Sequence, residues 1–361
     1  MTNFEKWNKA FKTQDLYAFN HNENAVLWLK VRAICRGKQI QHFINENKIT
    51  LSSSKIAEQN AELFEILETM PDAMQRLDAF LNEKDNEWYN TMGINNDTLK
   101  EDSYKVRHYV WGGDRNNSLD KHLISKYVKV ISNYDELLCK QNEIAENAWN
   151  YIQTSWYNNW TSYLIESLFK KHERVISAVG EIKSIDFFID NIPIDLKVTF
   201  FPNQYMDEKI KAKLGKKELT WLKQKAKELG ITADNTLTET QQIYTLSEKL
   251  SEIGNTEILQ ELNNKRKEVI NESQANTIEL MTWLYANQGE MRFGAENRLF
   301  VILADSTDIS QSWKMKRAFS LIEPKIKDYL NNFNSDILKT INFSFKGNHY
   351  KSLADAIFII K

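Results

Sequence analysis

Two aspartates and a lysine stand close together in an otherwise apolar stretch, IDFFIDNIPIDLKVT (185–199). Asp186 belongs to the run SIDFFID, and Asp195 and Lys197 belong to IPIDLKVTF; both runs are rich in residues that favour strands. Asn191 separates the two runs and lies near Pro193, which indicates a tight turn. Because alternate side chains of a strand share a face, a hairpin here places two carboxylates and one ammonium on the same side of a sheet.

Paired carboxylates beside an ammonium have a definite chemistry. Two adjacent carboxylates repel each other unless a positive charge lies between them, and Mg²⁺ is a hard cation that binds protein and phosphate oxygens. Asp186 and Asp195 are therefore candidate metal ligands, with the backbone carbonyl of Leu196 as a further one. Lys197 is placed to orient or deprotonate a metal-bound water, or to stabilise charge that builds on phosphorus.

The same spacing resembles a known family of enzymes. Eight residues separate Asp186 from the triplet Asp195-Leu196-Lys197, within a strand–turn–strand context, and this pattern is similar to that of the PD-(D/E)xK nucleases of the restriction-endonuclease-like superfamily. The resemblance covers roughly residues 155–200, and Ile185 stands where the name of the motif has proline. It implies that the two aspartates hold a metal and that the lysine assists the attacking water.

The family commonly adds a glutamate from the helix before the hairpin. Glu166, within YLIESLFKK, stands in that position, and the resemblance implies that it supports a metal or a water. Glu181 also precedes the hairpin and is an alternative, but a helix holds Glu166 more rigidly. Asp190 is expected to be a turn residue rather than a metal ligand.

The remainder of the chain predicts an α/β protein. Residues 1–150 are expected to form a mainly helical N-terminal domain that takes part in DNA recognition. Residues 151–361 are expected to form the nuclease domain, a mixed central sheet flanked by helices, because strand-like runs alternate there with helical ones. The long charged block at about 205–287 is predicted to be a helical insertion in that domain.

Basic side chains near the hairpin are candidate DNA contacts, since a nuclease must neutralise phosphates beside its metal. The segment 205–228 carries eight lysines against four acids. A solvated helix face, or a structural salt-bridge cluster near residue 298, is the alternative reading. The candidates are Lys209, Lys213, Lys216 and Lys217 in the insertion, and Arg292, Asn297 and Arg298 around the start of the strand NRLFVILAD.

Composition narrows the class of protein. The 361 residues carry a formal net charge of -2, which argues against an overall basic coat but leaves room for a local basic face. Two distant cysteines, no signal-like N-terminus and no long apolar run predict a cytoplasmic protein without a membrane span. Glycine-rich phosphate-binding loops of the ATP-binding type are absent from the sequence.

These observations together predict a Mg²⁺-dependent deoxyribonuclease in which Mn²⁺ can substitute. Double-stranded DNA is the expected substrate, a type II-like restriction endonuclease the expected role, and a homodimer the expected assembly, because cutting both strands takes two sites. A structure-selective repair or defence nuclease is the alternative enzyme. A non-catalytic nucleic-acid-binding module that keeps the nuclease scaffold is the alternative from a different class.

Overall fold

The computed structural model describes residues 1–13, 16–20, 22–34, 37–109, 111, 118–178, 185–237, 239–287 and 297–361. About 63% of the described residues are helical, around one mixed sheet. No helix within these ranges has the length and apolar character needed to cross a membrane.

Helices form the part of the chain before the sheet. They are α1 (Asn3–Lys12), α2 (Glu23–Ala33), α3 (Gly37–Glu46), α4 (Ile56–Glu68), α5 (Ala73–Met92), α6 (Asn96–Ser103), α7 (Leu119–Leu123), α8 (Tyr134–Cys139) and α9 (Gln141–Lys170). A short π-helix, Ile124–Val128, continues α7. The predicted domain boundary near residue 150 falls inside α9, which runs unbroken from the N-terminal region to the edge of the sheet.

Three strands follow α9: β1 (Val175–Ser177), β2 (Phe187–Ile189) and β3 (Ile192–Phe200). The predicted helical insertion then comprises α10 (Asn203–Leu214), α11 (Glu218–Glu228), α12 (Glu239–Glu252), α13 (Glu257–Ala275) and α14 (Thr277–Ala286). The chain closes with β4 (Asn297–Ala304), a 3₁₀ helix (Ile309–Arg317), α15 (Phe319–Asn331), β5 (Lys339–Phe345) and β6 (Asn348–Ile360). The strand-like runs SIDFFID, IPIDLKVTF and NRLFVILAD thus correspond to β2, β3 and β4.

The six strands lie in the order β1-β2-β3-β4-β6-β5. β1, β2 and β3 form an antiparallel meander, β3 and β6 both run parallel to β4, and β5 pairs antiparallel with β6. The helical insertion supplies the long crossover that a parallel β3–β4 pair requires. β4 is buried along its whole length, as its apolar sequence predicts for a central strand covered on both faces.

Period-2 alternation divides the sheet into two apolar faces. One face, with Phe187, Ile194 and Leu196, packs against α9 and α15. The opposite face, with Phe188 and Phe300, belongs to a core shared with α1–α5, α10, α13 and α14. The N-terminal helices therefore bury their apolar side chains in the same core as the sheet, and the insertion adds a smaller cluster of its own around Trp221 and Leu222.

Candidate active site

The β2–β3 hairpin brings the two predicted aspartates together. Asp186 directly precedes β2, and its backbone N–H donates to the carbonyl of Ile194, the residue before Asp195, at 2.9 Å. The backbone N–H of Leu196 donates to Oδ2 of Asp186 at 2.7 Å. Asp186 is therefore held against the strand that carries the other aspartate, as the hairpin interpretation predicted.

A two-residue turn sets the register of the β2–β3 hairpin. Asp190 and Asn191 have φ values of 47° and 67°, and consecutive residues with positive φ are typical of the type I′ turn, in which aspartate and asparagine are tolerated. The Arg174 guanidinium binds the Asp190 carboxylate. Asp190 thus lies at the turn, where the sequence placed it, and not beside Asp195.

A buried lysine from the N-terminal helices also anchors the turn. Lys30 on α2 is fully buried, forms an ion pair with Asp78 on α5, and donates to Oδ1 of Asn191 at 2.6 Å. Burial lowers the pKa of Lys30, and the Asp78 carboxylate opposes that effect. The hairpin is consequently tied to the helical layer at its tip.

Asp195 is the most enclosed member of the site. Only 1% of its side chain is exposed, and its carboxylate bonds to two cations: Lys197 Nζ binds Oδ1, and Arg298 Nε donates to Oδ2 at 2.9 Å. Arg298 lies directly beside Asp195 in the parallel β3–β4 register. Lys197 is 40% exposed, so its ammonium lies between the buried carboxylate and solvent.

Glu166 approaches the same cluster from α9. Its carboxylate accepts an ion pair from Lys170 Nζ, one turn further along the helix, at 2.8 Å, and Lys170 also lies 3.3 Å from Asp85 on α5. Glu166 acts electrostatically on Asp186, together with Asp195 and Lys197. Asp186 thus interacts electrostatically with each of the other three residues expected from the family resemblance. Glu181, the alternative acid, lies outside the described residues.

The pKa of Asp186 is raised. Burial, followed by the nearby carboxylates of Glu166 and Asp195, raises it to about 6, against the opposing effects of the Leu196 N–H and the Lys197 ammonium. A cation placed between a buried carboxylate and its carboxylate neighbours stabilises the ionised form of that group.

The donor chemistry fits a hard divalent cation, because the available ligands are carboxylate oxygens. In the described ranges, however, no three histidine, cysteine, aspartate or glutamate side chains are grouped to hold a metal ion as they stand. Both oxygens of Asp195 are bonded to cationic side chains. For Asp195 to become a ligand, the exposed Lys197 must withdraw from Oδ1; Arg298, which is buried, can stay in place.

The predicted lysines of the insertion are largely engaged with other side chains. Lys209 pairs with Glu279, Lys213 lies 2.5 Å from Glu272, and Lys216 donates to Gln224. Lys217 is exposed just before α11. The first two ion pairs join α10 to α14 and α13, so these lysines serve helix packing in this structure, and their contact with DNA remains a prediction.

The polar residues at the start of β4 lie inside the protein. Asn297 is buried and donates to the carbonyl of Pro193 at 3.0 Å and to Asn20. Arg298 is buried against Asp195, with its guanidinium 4.9 Å from the centre of the Tyr285 ring. Neither position supports the predicted DNA contact, and Arg292 lies outside the described residues.

Sequence reasoning missed Arg298 and Lys170 as neighbours of the acids. Helical spacing of four residues could have suggested that Lys170 pairs with Glu166. For Arg298 the only available signal was a charged residue at the start of an apolar, central-type strand, which says nothing about which strand lies beside it. Comparison of the chain with protein-family models, with curated proteins and with solved structures finds no match.

Proposed function

We propose that the protein is a metal-dependent endonuclease that hydrolyses DNA phosphodiester bonds. The observation that carries this proposal is the convergence of Glu166, Asp186 and Asp195 with Lys197 at one end of the β2–β3 hairpin. These charges come from three separate elements, and a surface hairpin would gain nothing from enclosing carboxylates that repel one another. The mixed sheet with helices on both faces is consistent with the restriction-endonuclease-like core that the motif suggests.

The chain supplies distinct groups for the reaction. Asp186 and Asp195 would hold the cation, and Glu166 would hold either the cation or a water beside it. A bound Mg²⁺ supplies Lewis-acid activation of water and neutralises phosphate charge. Lys197, once released from Asp195, presents an ammonium at the solvent side of the site, where it can orient the attacking water or bind a phosphate oxygen.

Duplex cleavage favours a homodimer, because the described part of the chain contains one such set of residues and two strands must be cut. A type II-like restriction endonuclease is the biological role we propose. Its substrate would be double-stranded DNA in the cytoplasm, a compartment consistent with a chain that has only two cysteines.

A plasmid assay tests the proposal directly. Supercoiled DNA is incubated with the protein and Mg²⁺, Mn²⁺ or EDTA, and the products are resolved by electrophoresis. Discrete fragments that need the metal support a restriction endonuclease, whereas a metal-dependent smear indicates a nuclease without a fixed target. A mobility shift without cleavage under every metal condition identifies a binding module and removes the catalytic proposal.

The Lys197→Ala variant sharpens this assay. Loss of the ammonium is expected to reduce the cleavage rate by about 10²–10⁴-fold while leaving DNA affinity largely unchanged, because the residue acts on the water or the developing charge. Lys327→Ala, at an exposed position on α15, is the matched control and should cleave at the wild-type rate. Cleavage by the Lys197 variant at the wild-type rate would remove the proposed mechanism.

A further inference from the structure

Arg298 is the largest charged side chain that is completely enclosed, among the residues that the structure describes. Its side chain is 2% exposed, and it lies on β4, a strand made otherwise almost entirely of apolar residues. A guanidinium is never neutral in a protein, so burying it is unfavourable unless a carboxylate and further contacts compensate. The contacts of Arg298 therefore indicate why the residue is there.

The described contacts of Arg298 are with Asp195 and with two aromatic rings. Nε donates to Oδ2 of Asp195 at 2.9 Å, and the guanidinium lies 4.9 Å from the ring centre of Tyr285 and 5.8 Å from that of Phe300. Aromatic faces attract a cation without competing for its hydrogen-bond partner. The arginine is consequently held between two aromatic rings and the Asp195 carboxylate.

Tyr285 is in turn held in place. Its ring stacks on Phe343 of β5 at 4.5 Å, and its hydroxyl lies 3.2 Å from Ser352 Oγ on β6. Tyr285 is also the penultimate residue of α14, the last helix of the insertion. The ring that supports Arg298 is thus held by the insertion, through α14, and by β5 and β6 of the sheet.

We propose that Arg298 is a positioning residue: it holds Oδ2 of Asp195 permanently, so that Oδ1 alone faces Lys197 and the divalent cation. This inference rests on the proposed metal site and assigns Arg298 a role different from DNA contact. Lys197 and Arg298 bind opposite oxygens of the same carboxylate, but only Lys197 reaches solvent. The exposed cation can exchange with a metal, whereas the buried one keeps the carboxylate oriented while that exchange occurs.

Titration of Mn²⁺ into the protein without DNA, followed by isothermal calorimetry, tests this inference independently of cleavage. Arg298→Met should weaken Mn²⁺ binding by about 10- to 100-fold, the usual effect of removing a residue that orients a metal ligand. Arg298→Lys should recover part of the affinity, because the charge remains but the planar fork that fits the carboxylate is lost. If Arg298→Met does not fold, the Mn²⁺ affinity of Arg298→Lys, expected to lie below that of the wild type, tests the inference instead.

Arg317 provides the matched control. It is also a buried arginine packed on aromatic rings, but its guanidinium donates to the backbone carbonyls of Ser103 and Val106. Arg317→Met should lower thermal stability as Arg298→Met does, yet leave Mn²⁺ affinity at the wild-type value. A general loss of packing would reduce metal affinity equally in both variants, and that result would overturn the assignment.

DNA affinity measured in EDTA separates the two roles of Arg298. If Arg298 positions Asp195, DNA affinity is unchanged in Arg298→Met. A drop in DNA affinity with normal Mn²⁺ binding makes Arg298 a DNA contact and overturns the inference. A wild-type protein that binds no Mn²⁺ also overturns it. If the wild-type protein binds Mn²⁺ in an Arg298-dependent way but does not cleave DNA, the inference stands and the proposed nuclease function fails.

Discussion

Asp186 is hydrogen-bonded to the backbone of Leu196, the residue after Asp195, yet the charges of the two aspartates are balanced differently. Asp195 is bonded to the cationic side chains of Lys197 and Arg298, whereas Asp186 accepts a neutral backbone N–H from Leu196. Burial and the carboxylates of Glu166 and Asp195 therefore raise the pKa of Asp186, against the opposing effects of the Leu196 N–H and the Lys197 ammonium. This imbalance leads to three predictions.

Asp186→Asn is expected to stabilise the protein at pH 7 in EDTA. The folded-state pKa of Asp186, about 6, lies above its ordinary value of 3.8, so its stabilising contribution is complete below about pH 4 and is lost as the pH rises through about 6. Partial solvation reduces the effect, and we expect a gain of about 1–2 kcal/mol in the free energy of unfolding. Urea unfolding at several pH values measures it.

The stability difference between Asp186→Asn and wild type should disappear near pH 4, where both side chains are neutral. Glu323→Gln, at an exposed position on α15, serves as the control and should change stability little at either pH. With saturating Mg²⁺ the order should reverse, because ligand binding stabilises only a protein that can hold the cation. A variant that is less stable than wild type at pH 7 in EDTA would contradict the electrostatic account.

Glu166→Gln is expected to lower the pKa of Asp186. Repulsion by the Glu166 carboxylate is one of the causes that hold this pKa near 6, and the neutral amide removes it. Carboxyl ¹³C chemical shifts of Asp186, followed from pH 3 to 8 in metal-free protein, report the change. Glu323→Gln should leave the titration midpoint of Asp186 at its wild-type value. An unchanged midpoint in Glu166→Gln means that the two carboxylates do not interact.

Mn²⁺ affinity should fall as the pH drops through about 6. The cation requires the ionised form of Asp186, so protons compete with it below the pKa of that group. One competing proton weakens the apparent affinity about tenfold per pH unit in that range. Calorimetric titrations between pH 5 and 8 check this expectation. Affinity that stays constant from pH 5 to 7 would exclude Asp186 as a ligand.

The hairpin turn offers a stability test that does not depend on catalysis. Asn191 has a φ of 67°, which glycine adopts without strain and alanine does not. Both Asn191→Gly and Asn191→Ala lose the bond from Lys30, so the difference between them isolates the backbone conformation. Asn191→Ala should be the less stable by about 1 kcal/mol in urea unfolding. Equal stability would mean that this turn is not retained in the variants.

Local patterns were sufficient to predict much of the site. Alternation in SIDFFID and IPIDLKVTF placed Asp195 and Lys197 on one face and Ile194 and Leu196 on the other, and the structure confirms that division. The turn residues and the helical character of the insertion followed from composition and periodicity in the same way. Such features depend on neighbours a few positions apart, which a sequence displays directly.

The tertiary structure decided the partners of those residues. Nothing in the local pattern indicates that β4 lies parallel to β3 with Arg298 beside Asp195, or that Lys170 bridges Glu166 to Asp85. The tertiary structure likewise pairs Lys209 and Lys213 with glutamates of other helices, which the local pattern does not indicate. These strand and helix contacts join residues 59 to 103 positions apart, so side-chain periodicity determines which face a residue occupies but not what lies against it.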